Sequence, residues 1–163
     1  MKPAAQIHHT GITVSDLDRS AAFYGELFGF QEVLRSDYAG EEVAQLLGVK
    51  EASITVLMLG AENSILELVK YHTPPSAAPS ETPNNTLGVL HVCIAVEDID
   101  AALARAVEHG ATATAPPSSP IDVGPAAGGR FAYLRGPDGE TVELIQLGPG
   151  ITLKALGISA ARS

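Results

Sequence analysis

Residues 9–22, HTGITVSDLDRSAA, can be laid over residues 91–104, HVCIAVEDIDAALA, and that agreement constrains the rest of the chain. At this offset of 82, His9 meets His91, Ile12 meets Ile94, Val14 meets Val96, and Asp16 and Asp18 meet Asp98 and Asp100. A second block follows in the same order. NSILELV (63–69) lies over GETVELI (139–145), with Glu67 over Glu143 and Leu68 over Leu144. Two matched blocks in one order imply two copies of a single structural module. The offset falls to 76 in the second block, which means only that a loop differs in length.

Each copy reads as a strand, a helix and then further strands. In the first, IHHTGITV (7–14) is β-branched and strand-like, and Ser15 or Asp16 can cap the helix after it. Leu17, Ala21, Tyr24, Leu27 and Phe28 recur at helical spacing as a buried stripe, and Gly29 ends the helix. Strands are expected at 30–36, 52–60 and 63–71, with a short helix at 41–47. The second copy gives a strand at 89–96, a helix at 98–109 and strands near 111–115, 130–135 and 140–147. The fold class is therefore α+β: two tandem βαβββ modules forming an open, cupped mixed sheet with helices outside.

A chain of 163 residues suits one domain with a real core. Within it, 6–71 is the first module, 72–87 a proline-rich linker, 88–147 the second module and 148–163 a tail. A further Pro- and Gly-rich stretch, 115–129, is too long for a plain hairpin turn and reads as a lid or mobile segment. Ten Lys and Arg stand against nineteen Asp and Glu, for a net charge of −9. Phosphate backbones and anionic membranes need concentrated positive charge, so neither nucleic acid nor membrane is an expected partner. One cysteine, Cys93, excludes an internal disulfide. MKPAAQIHH lacks the apolar run of a secretory signal, so the expected compartment is the cytoplasm.

Strand parity then decides which side chains travel together. Ile12, Val14, Ile94 and Val96 are the bulky positions expected under the helices. His9 falls on the other face with Gly11 and Thr13, and His91 with Cys93 and Ala95. His8 falls on the helix side, which favours His9 over its neighbour. Glu67 and Glu143 each interrupt an apolar strand, SILELV and TVELIQ. A carboxylate on an inward face is costly unless it is paired or bound to a cation. A single glutamate of this kind most often faces water. Two His and two Glu at matched places favour one shared metal site, His9, Glu67, His91 and Glu143, suited to Ni, Co, Zn, Mn or Fe. By contrast His72 reads as solvent-facing, His109 as a helix C-terminal residue, and GPDG (136–139) as a hairpin turn.

With these segments in view, the chain resembles the vicinal oxygen chelate superfamily, which includes glyoxalase I, methylmalonyl-CoA epimerase, extradiol dioxygenases and bleomycin-resistance proteins. The resemblance covers about residues 6–147 and rests on HTGITVSDLDRSAAFYGELFGF, ILELVKY, LHVCIAVEDIDAAL and YLRGPDGETVELIQ. It implies a divalent metal held at His9, Glu67, His91 and Glu143, the same four the repeat selects. It also implies a small-molecule substrate with adjacent oxygens, a proton removed next to a carbonyl, and Glu143 or Glu67 as the base. An isomerase, epimerase or glyoxalase-type lyase follows. The alternatives are an iron dioxygenase and a metal-free antibiotic binder. Thr13 stands where bacterial glyoxalase I carries an arginine that helps hold glutathione, so the resemblance leaves the use of glutathione open. Exposed sheet edges point to a homodimer.

Overall fold

The computed structural model describes residues 7–77, 82–124 and 126–156. The strands and helices run β1 (Thr10–Thr13), α1 (Leu17–Phe28), β2 (Gln31–Ala39), α2 (Glu41–Leu47), β3 (Ser53–Ala61), β4 (Ser64–Thr73), β5 (Val92–Ala95), α3 (Ile99–Glu108), β6 (Thr112–Ala113), β7 (Arg130–Arg135) and β8 (Thr141–Gln146). They form two four-stranded mixed sheets, ordered β1-β4-β3-β2 and β5-β8-β7-β6. The α+β class and the doubled βαβββ order are those the repeat demands. Among the described residues neither sheet closes into a barrel; β1 and β2 are the outer strands of the first, β5 and β6 of the second.

The described chain gathers into two compact units. The first holds β1 to β4 and α1 as far as Ala21. In its sheet, β1 runs parallel to β4 while β2, β3 and β4 are antiparallel neighbours. Leu57 and Leu59 on β3 pair with Leu68 and Leu66 on β4, and all four are buried. Their alternates, Met58 and Glu67, point to the opposite face, as a period of two requires. β2 is nearly all exposed, in keeping with an edge strand.

The second unit holds Ala22–Phe28 of α1 together with β5 to β8 and α3. Here β5 is parallel to β8, and β7 and β8 form an antiparallel hairpin. Ile99, Leu103 and Ala106 are the buried stripe of α3, which lies on the sheet against β6, β7 and β8. Leu134, Val142 and Leu144 are fully buried, and Glu143 stands on the other face. The N-termini of α1 and α3 are built alike. The Asp16 carboxylate accepts the backbone N–H of Arg19, and that of Asp98 accepts the N–H of Ala101.

Three expectations need correcting. In α1 the fully buried residues are Leu17, Ser20, Phe23 and Tyr24, whereas Ala21, Leu27 and Phe28 are only partly covered. A stripe of apolar types alone had passed over Ser20 and Phe23. The strands carrying the histidines are short, four residues each, so His9 and His91 lie just ahead of them. β6 is reduced to two residues. Backbone N–H groups of Thr114 and Ser118 donate to Tyr133 and Phe131, and Ile121 donates to Gly129. Of these bonds, that of Ser118 joins the 115–129 stretch to β7, and that of Ile121 lies within the stretch.

Candidate metal centre

In the first unit, β1 and β4 are in register with Gly11 beside Glu67. His9, two residues ahead of Gly11, brings its Nε2 to 3.4 Å from Glu67 Oε2. The space is tight because a Cβ at Gly11 would stand 3.3 Å from that same oxygen. In the second unit, β5 and β8 place Cys93 beside Glu143, and His91 Nε2 is 2.9 Å from Glu143 Oε2. The carboxylates are mostly covered, at 19% and 15% side-chain exposure, and the imidazoles are more open, at 35% and 44%. Each histidine therefore meets the glutamate of its own repeat on the sheet face away from the leucine core. Among the described residues no three His, Cys, Asp or Glu side chains gather into a metal-holding cluster.

The donor types suit a borderline divalent ion. Imidazole nitrogen and carboxylate oxygen converge in both pairs, and the carboxylates are too covered to be simple surface charges. His9 with Glu67, and His91 with Glu143, each pair one nitrogen donor with one carboxylate within its own unit.

The two pairs differ in their neighbours. Glu143 lies between Cys93 on β5 and Tyr133 on β7. Tyr133 also stacks edge-on against the His91 ring, with centroids 5.6 Å apart. The Cys93 thiol is pushed up to about 12, by burial first and then by the Glu143 charge and hydrogen bond. Tyr133 is shifted upward through the same causes, burial first. Tyr133 escaped the sequence reading, yet a signal existed. Asp138 centres the GPDG turn, and counting five residues either way pairs Tyr133 with Glu143.

The remaining histidines take other partners. His8 Nδ1 lies 2.8 Å from His9 Nδ1. His109 caps the end of α3, 3.7 Å from Glu26. His72 is exposed as expected, but its Nε2 is 2.7 Å from Thr55 Oγ1, whose hydroxyl also lies 2.5 Å from Asp37 Oδ1. The GPDG turn is stapled by Glu140, whose carboxylate accepts the N–H of Asp138 and the hydroxyl of buried Tyr24, each at 2.9 Å. Burial, ahead of the Glu140 charge, raises the Tyr24 phenol above its usual range.

Known proteins resemble this chain over most of its length. The family described as "Glyoxalase/Bleomycin resistance protein/Dioxygenase superfamily" matches residues 6–144. A 2-epi-5-epi-valiolone epimerase from Actinomyces sp. is 34% identical over 154 residues, spanning 90% of this chain and 82% of its own. A probable lactoylglutathione lyase from Synechocystis sp. is 30% identical over 139 residues, spanning 85% of this chain and 92% of its own. Among solved structures, a glyoxalase family protein from Bacillus cereus is similar with a TM-score of 0.76 and 27% identity, over 90% of this chain and 97% of that one.

Proposed function

Because this chain belongs to the glyoxalase/bleomycin resistance protein/dioxygenase superfamily, we propose that it is a metal-dependent epimerase, isomerase or lyase acting on a small oxygen-rich substrate. One observation supports it most: the same histidine–glutamate pair occurs at the same register in both repeats. Relatives named as an epimerase and as a lactoylglutathione lyase agree with that reaction class. His9, Glu67, His91 and Glu143 hold one divalent cation, which supplies Lewis-acid polarisation of a substrate oxygen when bound. Glu67 or Glu143 takes the proton from the carbon beside a carbonyl and returns it.

The decisive experiment loads the protein with nickel, cobalt, zinc, manganese or iron(II) in turn and follows exchange of α-protons into deuterated water. Hemithioacetals, CoA thioesters and cyclic polyol ketones are the substrate panel. Metal-dependent exchange with any of them supports the proposal. Metal binding without exchange, but with oxygen uptake on catechols, would replace it by a dioxygenase. Alanine at His9, Glu67, His91 or Glu143 should each lower metal content sharply, while alanine at His8, His72 or His109 should not.

The proposal also includes a homodimer. Mixing His9→Ala with Glu143→Ala chains tests whether ligands are shared. Recovery of activity on mixing requires His9 and Glu67 from one copy with His91 and Glu143 from the other. A monomer by light scattering would remove the dimer.

A further inference from the structure

The linker ahead of the second repeat ends in a strap, residues 82–90, that runs straight into His91. Apolar burial does little to hold it, since Leu87 is fully exposed and Leu90 largely so. Two tight turns shape it, the N–H of Thr86 donating to the Pro83 carbonyl and that of Val89 to the Thr86 carbonyl. Among the described residues, the hydrogen bonds that leave 82–89 go to Arg135 and Thr141. We propose that Arg135 is a positioning residue for the His91–Glu143 pair, its guanidinium tying the strap that leads to His91 to the hairpin that carries Glu143. The inference rests on the function proposed above for its chemical meaning, and every residue in it lies within the second unit.

The geometry is that of a fork with two arms. Arg135 closes β7 and pairs with Thr141 at the start of β8, two residues before Glu143. Its Nη2 donates to the Thr82 carbonyl at 2.9 Å and to Asn84 Oδ1 at 2.8 Å. Its Nη1 donates to the Thr141 hydroxyl and, at 3.4 Å, to the Gly139 carbonyl in the GPDG turn. The Thr141 hydroxyl donates in turn to Asn84 Oδ1 at 3.2 Å, which closes a ring of three side chains. A guanidinium suits this task because its donors lie fixed in one plane and reach several acceptors at once. His91 lies just ahead of β5, so the chain on its N-terminal side is the strap itself. The first repeat lacks the clamp. Its offset of 76 sets Ile65 over Thr141, and the residue paired with Ile65 across the hairpin is Gly60, which has no side chain. The histidine–glutamate distance there is 3.4 Å, against 2.9 Å in the clamped repeat.

The test reads the imidazole carbon–proton signals of the full chain without metal, with His9 as the control inside the same molecule. Arg135→Gln, which removes the fork, should broaden or split the His91 signal and leave that of His9 single. A general loss of stability would disturb both rings alike. Asn84→Ala cuts only the strap arm, at an exposed position, and should act in the same direction to a smaller degree. Arg135→Lys keeps a donor and the charge without the planar fork, so its His91 signal should fall between wild type and Arg135→Gln. With cobalt added, Arg135→Gln should raise the dissociation constant about 10-fold, and that effect should vanish in a His91→Ala background. A His91 signal left unmoved by Asn84→Ala, or His9 disturbed as much as His91, overturns the inference. If the wild type binds none of the metals, the proposed function fails, and the His91 signals still decide whether Arg135 positions that ring.

Discussion

The first repeat spends its length on long strands, the second on loop. β2 has nine residues and is followed by α2, whereas its counterpart β6 has two and is followed by an irregular stretch pinned to β7. At the other edge the repeats agree closely. β1 and β5 have four residues each, both parallel to the strand that carries the glutamate. Divergence gathers on the edge away from the histidine–glutamate pairs, and similarity gathers beside them. Backbone pairing explains why this costs little. An outer strand takes hydrogen bonds on one side only, so it can be shortened without disturbing its inner neighbours.

The equivalence can be broken most forcefully in the cores. Leu68 and Leu144 are matched by the repeat, and both are fully buried. Alanine at either should destabilise the protein by about 2–5 kcal/mol in urea unfolding, with the two costs alike if the repeats pack alike. Next comes the ion. A cation at a hundredfold excess over its dissociation constant should add about 2.7 kcal/mol of stability, and His9→Ala and His91→Ala should each abolish that increment. Thermal melts with and without chelator read this directly.

Smaller effects sharpen the comparison. Asp16→Ala and Asp98→Ala each remove a helix cap and should cost about 1 kcal/mol. A larger loss at one would show that α1 and α3 differ in how they depend on their first turns. Smallest is the exposed pair in each repeat, Asp18 with Arg35 at 2.8 Å and Asp100 with Arg130 at 2.5 Å. The Arg130 hydrogen bonds hold the Asp100 carboxyl below its usual range. A depressed carboxylate contributes above its unfolded value of about 3.9 and loses that contribution as pH falls through the folded value. Any gap in melting temperature between the wild type and Asp100→Asn should therefore close in acid rather than in base.

Much of this was legible in the chain because the relevant forces are local. Caps at Asp16 and Asp98, the span of α2 and the turn at GPDG are set by residues within a few positions of one another. Repetition supplied the next layer, marking Glu67 and Glu143 before any pairing was known. What escaped depended on register between distant strands. Thr55 meeting His72, and Tyr133 meeting Glu143, are partnerships across a sheet that composition does not reveal. Ser20 escaped for another reason. It is a hydroxyl inside an apolar stripe, fully buried, and its side-chain oxygen has no hydrogen-bond partner among the described residues, so a count of apolar types passes over it.

Tyr24 belongs to the first repeat by sequence and to the second unit by structure, where its hydroxyl reaches Glu140 at the turn before β8. Duplication copied a stretch of text, then, but what folds is bounded elsewhere. A chain severed in the linker leaves Phe23 and Tyr24 on the wrong fragment, with their buried surface exposed and the staple of the Glu143 hairpin missing. Such halves are complementary pieces rather than independent ancestors. Swapping one repeat for a relative's would have to carry the end of α1 across with the second.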